Sequence, residues 1–408
     1  MKMTHRHIRL GGIAAVAGIA LLAAGCSATP SDTPGSVTGD AAHSESHDHE
    51  AEGRVAVSVE GGIAVLDATT LKVVDEFSTE EFTRLNPAGD GRHVVVTTTE
   101  GFQLLDTVAP ELTDLVVPAT AAGHVVRHAG NTVLFDDGTG VTTVLNTAEL
   151  AEAGDALPEA VTYTSDTPHH GVSIVLDDGT LVTTVGDDVS RSGAIALERQ
   201  GDEWSDLASS DECPGIHGEG TAANEAVIFG CENGALLYHN GAFEKFEAPD
   251  EFGRMGNAFV SETSPIVVGD YKSDPDAEGY LLGSVALIDT EAKSFEVVKL
   301  PDNVRYTFRD VVRGPEDNAY LLSTDGSIHV LDPESGALIN EFPVIDAWEG
   351  PAEWQDAHPA IVANGNTAYV TEPAANTVHA VDLTTGQVTA SVALDAAPNE
   401  IAVTLGAH

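Results

Sequence analysis

The sequence predicts an all-β fold, a β-propeller of eight four-stranded blades, and two observations lead to this prediction. Short runs rich in Val, Ile, Thr and Leu alternate with Gly, Asp and Asn turns, which is typical of strands. A short phrase, an apolar strand that ends in Asp or Asn, also recurs, as in Ile63-Ala-Val-Leu-Asp67, Val285-Ala-Leu-Ile-Asp289 and Val378-His-Ala-Val-Asp382. Four strands in each repeat of about 40 to 50 residues indicate propeller blades. Residues 147–153 form the one helical connection that we expect.

The number of blades follows from a position that recurs about ten residues before the second strand of each repeat. The residues at this position are Arg84, His124, His170, His217, Asn257, Arg309, His358 and Asn399. Eight positions predict eight blades; seven is the alternative, because residues 155–168 and 271–280 are irregular. The domain starts at Arg54 without an inner strand and ends on a single strand. We therefore expect the C-terminal strand to complete the first blade, which leaves no free sheet edge.

The first 25 residues have the layout of a bacterial secretory signal, with basic residues followed by an uncharged apolar run. The segment Leu22-Ala-Ala-Gly-Cys26 resembles a lipobox. It predicts export, lipid attachment at Cys26 and anchoring on the extracytoplasmic face of the cell membrane. The alternative is a transmembrane anchor, but about 15 apolar residues are short for a span, which needs about 20.

Residues 26–53 are rich in Ser, Thr, Pro, Gly and Asp and have no apolar periodicity, which predicts a flexible tether before a propeller domain at 54–408. The tether contains His43-Ser-Glu-Ser-His47-Asp-His49-Glu50, with three imidazoles and three carboxylates. Short histidine-rich tracts are typical of metal binding, although a merely polar linker is the alternative. We expect His43, His47 and His49 to capture metal.

The chain is strongly acidic, with 65 Asp and Glu against 18 Lys and Arg and a net charge of −47. Removal of the predicted signal takes away three basic residues, which leaves 18 − 3 = 15 and a net charge of −50. Such a protein repels nucleic acid and anionic lipids and attracts cations. We therefore expect no nucleic-acid partner.

The recurring positions predict a metal site in the central channel. The first strand of each propeller blade lines this channel, so the eight residues should form a ring near one mouth. Four of them are histidines: His124, His170 and His217 on consecutive blades, and His358 opposite the middle one. Zn²⁺ takes four nitrogen or oxygen ligands at about 2.0 to 2.2 Å, which this set could supply.

Two carboxylates could complete or support that site. Glu219 and Asp356 each lie two residues from a ring position, and each could be a ligand or could orient an imidazole. A short slip of the alignment would replace His170 by His169, or His124 by His128. We expect His93, His329 and His379 to point at blade surfaces.

The sequence contains no Gly-x-Ser-x-Gly elbow and no phosphate-binding glycine loop. A metal held by four protein ligands has no open position for catalysis, which favours a protein that holds zinc over an enzyme that uses it. Two alternatives stay open. One is a metal-dependent hydrolase of the lactonase type, and the other is an interaction scaffold with structural histidines.

Cys213 and Cys231 lie 231 − 213 = 18 residues apart. In an oxidising compartment two such cysteines are most simply a disulfide, and a Cys/His zinc site is the rival interpretation.

The element Cys213-Pro-Gly-Ile-His217-Gly-Glu219, with Phe229-Gly-Cys231-Glu-Asn-Gly, resembles the AztD-type zinc metallochaperones. The resemblance extends over residues 54–405 and includes the segments around Trp348 and His358 and the histidine-rich tether. It implies an exported, monomeric propeller that passes Zn²⁺ to the solute-binding protein of a zinc-importing ABC transporter. It further implies a channel zinc site that includes His217, a Cys213–Cys231 disulfide and a mobile, metal-collecting N-terminus. The predicted lipid anchor departs from this family.

Overall fold

The structure is a computed structural model that describes residues 53–405. These residues form a ring of eight antiparallel sheets, which we number as blades 1 to 8 in chain order. The predicted β-propeller with eight four-stranded blades is confirmed, and the seven-bladed alternative is wrong. Cys26 and the tether histidines His43, His47 and His49 lie outside the described residues.

Each blade consists of four consecutive strands from the channel outward, except that blade 1 takes its inner strand from the end of the chain. Blade 1 contains β1 (Arg54–Val59), β2 (Gly62–Asp67), β3 (Val73–Ser78) and, innermost, β33 (Ile401–Thr404). Blade 2 contains β4 (Leu85–Pro87), β5 (His93–Thr98), β6 (Gly101–Asp106) and β7 (Glu111–Pro118), and blade 3 contains β8 (Ala122–His128), β9 (Asn131–Asp136), β10 (Val141–Asn146) and β11 (Val161–Thr164). Blade 4 contains β12 (Ser173–Val175), β13 (Leu181–Gly186), β14 (Arg191–Gln200) and β15 (Glu203–Ser210), and blade 5 contains β16 (His217–Ala222), β17 (Ala226–Cys231), β18 (Asn233–His239) and β19 (Ala242–Glu247), with β20 (Gly253–Arg254) beside β18. Blade 6 contains β21 (Ala258–Phe259), β22 (Ile266–Asp270), β23 (Ser284–Asp289) and β24 (Ser294–Lys299). Blade 7 contains β25 (Val311–Arg313), β26 (Ala319–Leu322), β27 (Ser327–Asp332) and β28 (Ala337–Pro343), and blade 8 contains β29 (Ile361–Asn364), β30 (Thr367–Glu372), β31 (Thr377–Asp382) and β32 (Gln387–Ala393).

Helical structure is confined to short connections in the described residues. The predicted helical connection is α1 (Thr147–Ala151), where the Asn146 side chain caps the first turn by accepting the amide N–H of Glu149. Three single 3₁₀ turns are Ala223–Glu225, Pro315–Asp317 and Pro373–Ala375. Among residues 53–405, no helix is long and apolar enough to cross a membrane.

The aspartate that ends the recurring phrase closes the turn to the outer strand. Asp67 accepts hydrogen bonds from the amide and the hydroxyl of Thr70, and Asp289 accepts the amides of Glu291 and Ala292. A side chain that caps its own turn in this way stops one strand and starts the next. The repeat is therefore visible in the sequence where a blade uses this turn.

The apolar core lies between neighbouring blades. Strands two and three of each blade carry buried Val, Ile and Leu on both faces, whereas the outer strand of blade 1 is mostly exposed. For example, Ala56 and Val65 of blade 1 pack with Val94 and Leu105 of blade 2. Each blade is thus stabilised by apolar contact with two neighbours, which requires the ring to close.

Closure occurs in blade 1, as predicted. Strand β33 pairs antiparallel with β1, with Val55 opposite Val403 and Val57 opposite Ile401. The seam also carries a hydrogen bond of 2.8 Å between the hydroxyls of Thr107 and Thr404. Among the described residues, β1 is therefore paired on its inner side by β33.

Seven of the eight recurring positions lie at or just before the start of an inner strand, as Arg84 precedes β4 and His217 begins β16, and the eighth, His124, is the third residue of β8. We call this end of the propeller the upper face. The turns between second and third strands lie at the same end, because successive strands of a blade run antiparallel. Asp137, in such a turn of blade 3, accordingly contacts His170 at the start of blade 4.

Candidate metal centre

Three histidines from blades 3, 4 and 5 meet at the upper face. The ring centroids of His124, His170 and His217 are 5.1 Å apart in each pair, and one nitrogen of each lies within 4.8 Å of the other two. The Nε2 atoms of His170 and His217 are 3.1 Å apart. Two nitrogens bound to one tetrahedral zinc at about 2.05 Å would be roughly 3.3 Å apart. The arrangement therefore fits a single ion.

Hydrogen bonds on the far side of two rings decide where the protons are. Nδ1 of His170 lies 2.6 Å from Oδ2 of Asp137, and Nδ1 of His217 lies 2.6 Å from the carbonyl oxygen of Gly256. A carboxylate and a carbonyl only accept, so both Nδ1 atoms donate. In the neutral rings both Nε2 atoms then carry a lone pair. Two lone pairs that face each other across 3.1 Å repel unless they share a proton or a metal ion.

The surroundings of His124 and His217 disfavour protonation of their rings. Burial, together with the neighbouring His217 and His170, lowers the pKa of His124 well below its ordinary value. Burial, with His170 and Arg191 nearby, lowers the pKa of His217 to about 4. At neutral pH these imidazoles are therefore uncharged, which is the form that ligates metal.

A second layer of contacts holds the two rings in place. Asp137 also accepts the amide of Gly171, which fixes the carboxylate beside His170. The amide of Gly256 donates to the buried carboxylate of Asp270, which also binds Asn257. Blade 6 thereby orients the carbonyl that receives the His217 proton, as in metal sites where outer contacts fix the ligand tautomer.

Asp137, Gly256 and Asp270 are not among the site residues predicted from the sequence. Asp137 could have been found, because an acidic residue in a turn between second and third strands lies at the same end as the ring. The other two could not, because blade 6 reaches His217 through a backbone carbonyl, and any residue type has one.

The backbone at His217 needs a glycine beside it. Gly218 has a φ of +60°, and a Cβ there would lie 2.2 Å from the carbonyl oxygen of Gly256. A β-bulge between His217 and Glu219 accompanies this conformation. Just upstream, Cys213 and Cys231 form the predicted disulfide, and both are fully buried. The rival Cys/His zinc site is therefore wrong.

His358 is not brought to the three histidines, and its prediction as a fourth ligand is corrected. Nδ1 of this buried ring lies 2.7 Å from the carbonyl oxygen of Asp356 and 2.6 Å from Nη2 of Arg309. Its Nε2 accepts a hydrogen bond of 3.1 Å from Nε of Arg309. Both nitrogens are occupied, and a guanidinium beside the ring repels a cation.

Arg309 also links the recurring positions on the side of the ring that contains His358. Arg309 also donates to Asn399 and forms an ion pair of 2.9 Å with Glu400, which in turn binds Arg84. The positions of blades 7, 8, 1 and 2 are thus joined by hydrogen bonds and charge, whereas those of blades 3 to 5 present imidazoles. The ring therefore carries a candidate metal site on one side and an ion-pair network on the other.

The two predicted carboxylates are not part of the three-histidine group. Glu219 is partly buried, burial raises its pKa to about 7, and no side chain of residues 53–405 donates to its carboxylate. Asp356 is exposed; its carboxylate accepts the amide of Glu353, and its carbonyl accepts the His358 ring. Asp356 therefore orients His358 rather than a metal ion.

The two alignment alternatives are settled by contacts. His169 is buried, with its ring nitrogens bonded to the carbonyl of Thr167 and the hydroxyl of Thr184. His128 pairs with Glu225 at 2.8 Å at the other end of its strand. His170 and His124 are the members of the group.

An acidic cavity adjoins His170. It has a volume of about 650 Å³, and Asp137, Asp187, Asp188 and Glu232 contribute to its wall together with Arg191. Four carboxyl groups against one guanidinium attract cations into this space. The cavity therefore gives cations access to His170.

No protein-family model matches the chain. A protein of Citrobacter koseri called "Zinc chaperone AztD" is 25% identical over 311 residues, which are 73% of this chain and 69% of that protein. Two crystal structures of Citrobacter koseri AztD, one of them the apo form, have TM-scores of 0.70 and 0.71 at 20% identity, and they cover 86% and 88% of this chain and 97% and 99% of theirs. The resemblance to AztD-type zinc chaperones is confirmed.

A propeller of the same kind also occurs in an enzyme. The dihydro-heme d1 dehydrogenase NirN has a TM-score of 0.60 at 11% identity, covering 88% of this chain and 76% of the dehydrogenase. At such identity the likeness concerns the fold alone. The choice of function therefore depends on the site.

Proposed function

We propose that this chain is a zinc metallochaperone that binds Zn²⁺ at His124, His170 and His217 and passes it to the solute-binding protein of a zinc ABC importer. The observation that carries the proposal is the pair of Nε2 lone pairs that face each other at 3.1 Å in a region where burial opposes protonation. The similarity to a protein called a zinc chaperone supports the same metal and the same role.

Three imidazole ligands leave one of four tetrahedral positions for an outside ligand. In transfer, that position is where a side chain of the partner binds first, so that zinc changes protein by ligand exchange without passing through water. The position of His358 away from the three histidines is consistent with this step, because a fourth histidine ligand would occupy the coordination position that the partner needs.

An open fourth position also favours the alternative of a metal-dependent hydrolase, where water on zinc would be the nucleophile. The two functions differ in a direct measurement. A zinc-loaded chaperone should transfer its metal to the solute-binding protein and should not turn over a panel of lactones and esters. Turnover that depends on His217 would favour the enzyme.

The binding site is tested by His217→Ala. The control is His239→Ala, because His239 ends a strand and the one hydrogen bond of its ring among residues 53–405 is to the side chain of Asn240. Competition with a chelator should show loss of the tightest zinc equivalent in His217→Ala and no change in His239→Ala. An undiminished tight equivalent in a His217→Ala chain that also lacks the tether would remove the channel site from the proposal.

Capture and location are further parts of the proposal. His43, His47 and His49 would collect Zn²⁺ on the tether, and a lipid on Cys26 would keep the exported protein at the membrane. Cys26→Ser should move the protein from the membrane fraction to the soluble fraction. Loss of His43, His47 and His49 should slow zinc uptake at low zinc while leaving the tight equivalent in place.

A further inference from the structure

Blade 7 carries a second group of candidate ligands that shares no residue with the three-histidine centre. His329 is in β27, Glu341 is in β28, and Asp325 is in the turn before β27. One ring nitrogen of His329 and one oxygen of each carboxylate lie within 4.8 Å of one another. Blade 7 stands four blades from blade 3, across the ring.

The pairing of the strands brings these residues together. His329 and Glu341 are directly opposite each other in adjacent strands, so their side chains share one face of the sheet. Nε2 of His329 lies 3.2 and 3.0 Å from the two oxygens of Asp325. The His329 side chain is 5% exposed, and its Nδ1 has no hydrogen-bond partner among residues 53–405.

Neutral donors hold both carboxylates toward this imidazole. Asn303 Nδ2 donates to Oδ2 of Asp325 at 3.2 Å, and the Ser327 hydroxyl donates to Oε1 of Glu341 at 3.1 Å. Within residues 53–405, no Lys or Arg forms an ion pair with Asp325 or Glu341. Two adjacent carboxylates repel each other unless a cation compensates them.

Blade 8 has a histidine at the position that corresponds to His329, but with one neighbouring carboxylate instead of two. His379 has the same place in the recurring phrase as His329 and pairs with Glu372 at 3.0 Å. Its cross-strand partner is Ser391, whose hydroxyl lies 2.8 Å from Nδ1 of His379. A single carboxylate and a hydroxyl therefore satisfy the histidine in blade 8. In blade 7 a second carboxylate replaces that hydroxyl and leaves Nδ1 free.

We propose that Asp325, His329 and Glu341 form a second site for a divalent transition metal ion, and that the ion bound in this protein is Zn²⁺. One imidazole nitrogen and two carboxylate oxygens are a ligand set that zinc accepts, with water in the remaining position. The site lies at the upper face, because Asp325 is in a turn between second and third strands. Glu341 is exposed, so water competes there and binding is weaker than at the three histidines. The inference does not depend on the proposed function.

The test is a calorimetric titration of the full chain with Zn²⁺. Glu341→Gln removes one ligand charge at an exposed position, and Glu334→Gln removes an exposed charge of the same blade outside the group. We expect Glu341→Gln to lose one weaker zinc equivalent that Glu334→Gln retains. His329→Gln, checked for fold by circular dichroism, should lose the same equivalent.

The outcomes separate this site from the channel site. His217→Ala should remove only the tightest zinc equivalent, and Glu341→Gln should remove only a weaker one. The channel site and the blade 7 site can therefore be contradicted independently of each other. An unchanged number of equivalents in Glu341→Gln would overturn the second site. An equal loss in Glu334→Gln would overturn it as well, because zinc would then follow surface charge rather than this ligand set.

Discussion

The carboxylate of Asp137 determines which nitrogen of His170 keeps a lone pair for the zinc that we propose to bind there, through its contact of 2.6 Å with Nδ1. Without it the ring can rotate or place its proton on Nε2, where the metal should bind. We therefore expect Asp137→Ala to weaken zinc binding by about 10- to 100-fold, the usual range for loss of such an outer contact. The measurement is competition with a chelator of known affinity.

Asp188→Ala is the matched control for that experiment. Asp188 lines the same acidic cavity as Asp137 but has no hydrogen bond to a histidine among the described residues. We expect a small effect from Asp188→Ala that disappears at high salt, because it acts through screened charge alone. Equal and equally salt-dependent effects of the two substitutions would mean that Asp137 does not orient His170.

Asp310 predicts how stability depends on pH. Its side chain is fully buried, Oδ1 has no hydrogen-bond partner among residues 53–405, and burial raises its pKa to about 7 from an ordinary value of 3.8. The folded protein therefore holds this proton more tightly than the unfolded chain does. Stability from this group is full below about pH 4 and is lost as the pH rises through 7, by at most about 4 kcal/mol.

Asp310→Asn should remove this dependence, because an amide stays neutral and its oxygen can still accept the amide N–H of Thr307. We expect Asp310→Asn to unfold at a higher temperature than the natural chain at pH 8, with a smaller difference at pH 5 that vanishes below about pH 4. The exposed Asp276→Asn should change neither value. A constant difference between Asp310→Asn and the natural chain across the pH range would contradict the assignment to Asp310.

At the level of elements, the disulfide fixes the chain that leads into β16 and His217. It closes a loop with a sequence separation of 18 residues, and the chain-entropy model gives about 3 kcal/mol for such a loop. We expect the Cys213→Ala/Cys231→Ala protein to lose stability of that order in urea unfolding. Its zinc affinity should also fall, because His217 follows Cys213 by four residues.

Reduction of the natural chain provides the control for the disulfide. Under a strong reductant the natural protein should approach the stability of the Cys213→Ala/Cys231→Ala protein, whereas the variant should not respond. Equal stability of the two proteins without reductant would show that the unfolded state is not constrained by this bond.

The blades could be predicted because each repeats the same local chemistry. The Asp or Asn that ends a recurring phrase, such as Asp289, caps a turn and marks a third strand without knowledge of contacts. The position that recurs near the start of each inner strand then counts the blades. The three-histidine group could be predicted for the same reason, since the start of an inner strand gives the angular position of a side chain around the channel.

What could not be predicted depends on the neighbour that a side chain meets. His358 occupies a ring position like the other histidines, but Arg309 of the adjacent blade takes both of its nitrogens. His329 was expected to face a blade surface, and its ligand-like neighbour Glu341 appears only once the register of two strands is known. The position of a side chain around the channel can be predicted from the repeat, whereas the register between strands and the ion pairs of a side chain require the three-dimensional structure.

At the scale of the whole molecule, the ring closes through four residues of β33 that pair with β1. Glu400, just before this strand, also joins Arg84 of blade 2 to Arg309 of blade 7. Removal of residues 400–408 would therefore expose the inner edge of blade 1 and break the ion-pair network on the side of the ring opposite the histidines. An unpaired inner strand is a template for aggregation.

We expect the chain truncated after Asn399 to be recovered mainly as aggregate, and a chain truncated after Leu405 to remain folded and monomeric in size-exclusion chromatography. The two differ by little more than β33, so they separate loss of closure from loss of the terminus in general. Because each blade is stabilised by its neighbours, the opened ring should also lose its tight zinc equivalent, although the three histidines lie on blades 3 to 5. A soluble chain truncated after Asn399 with normal zinc affinity would mean that the metal centre is held by its own blades and does not need the closed ring.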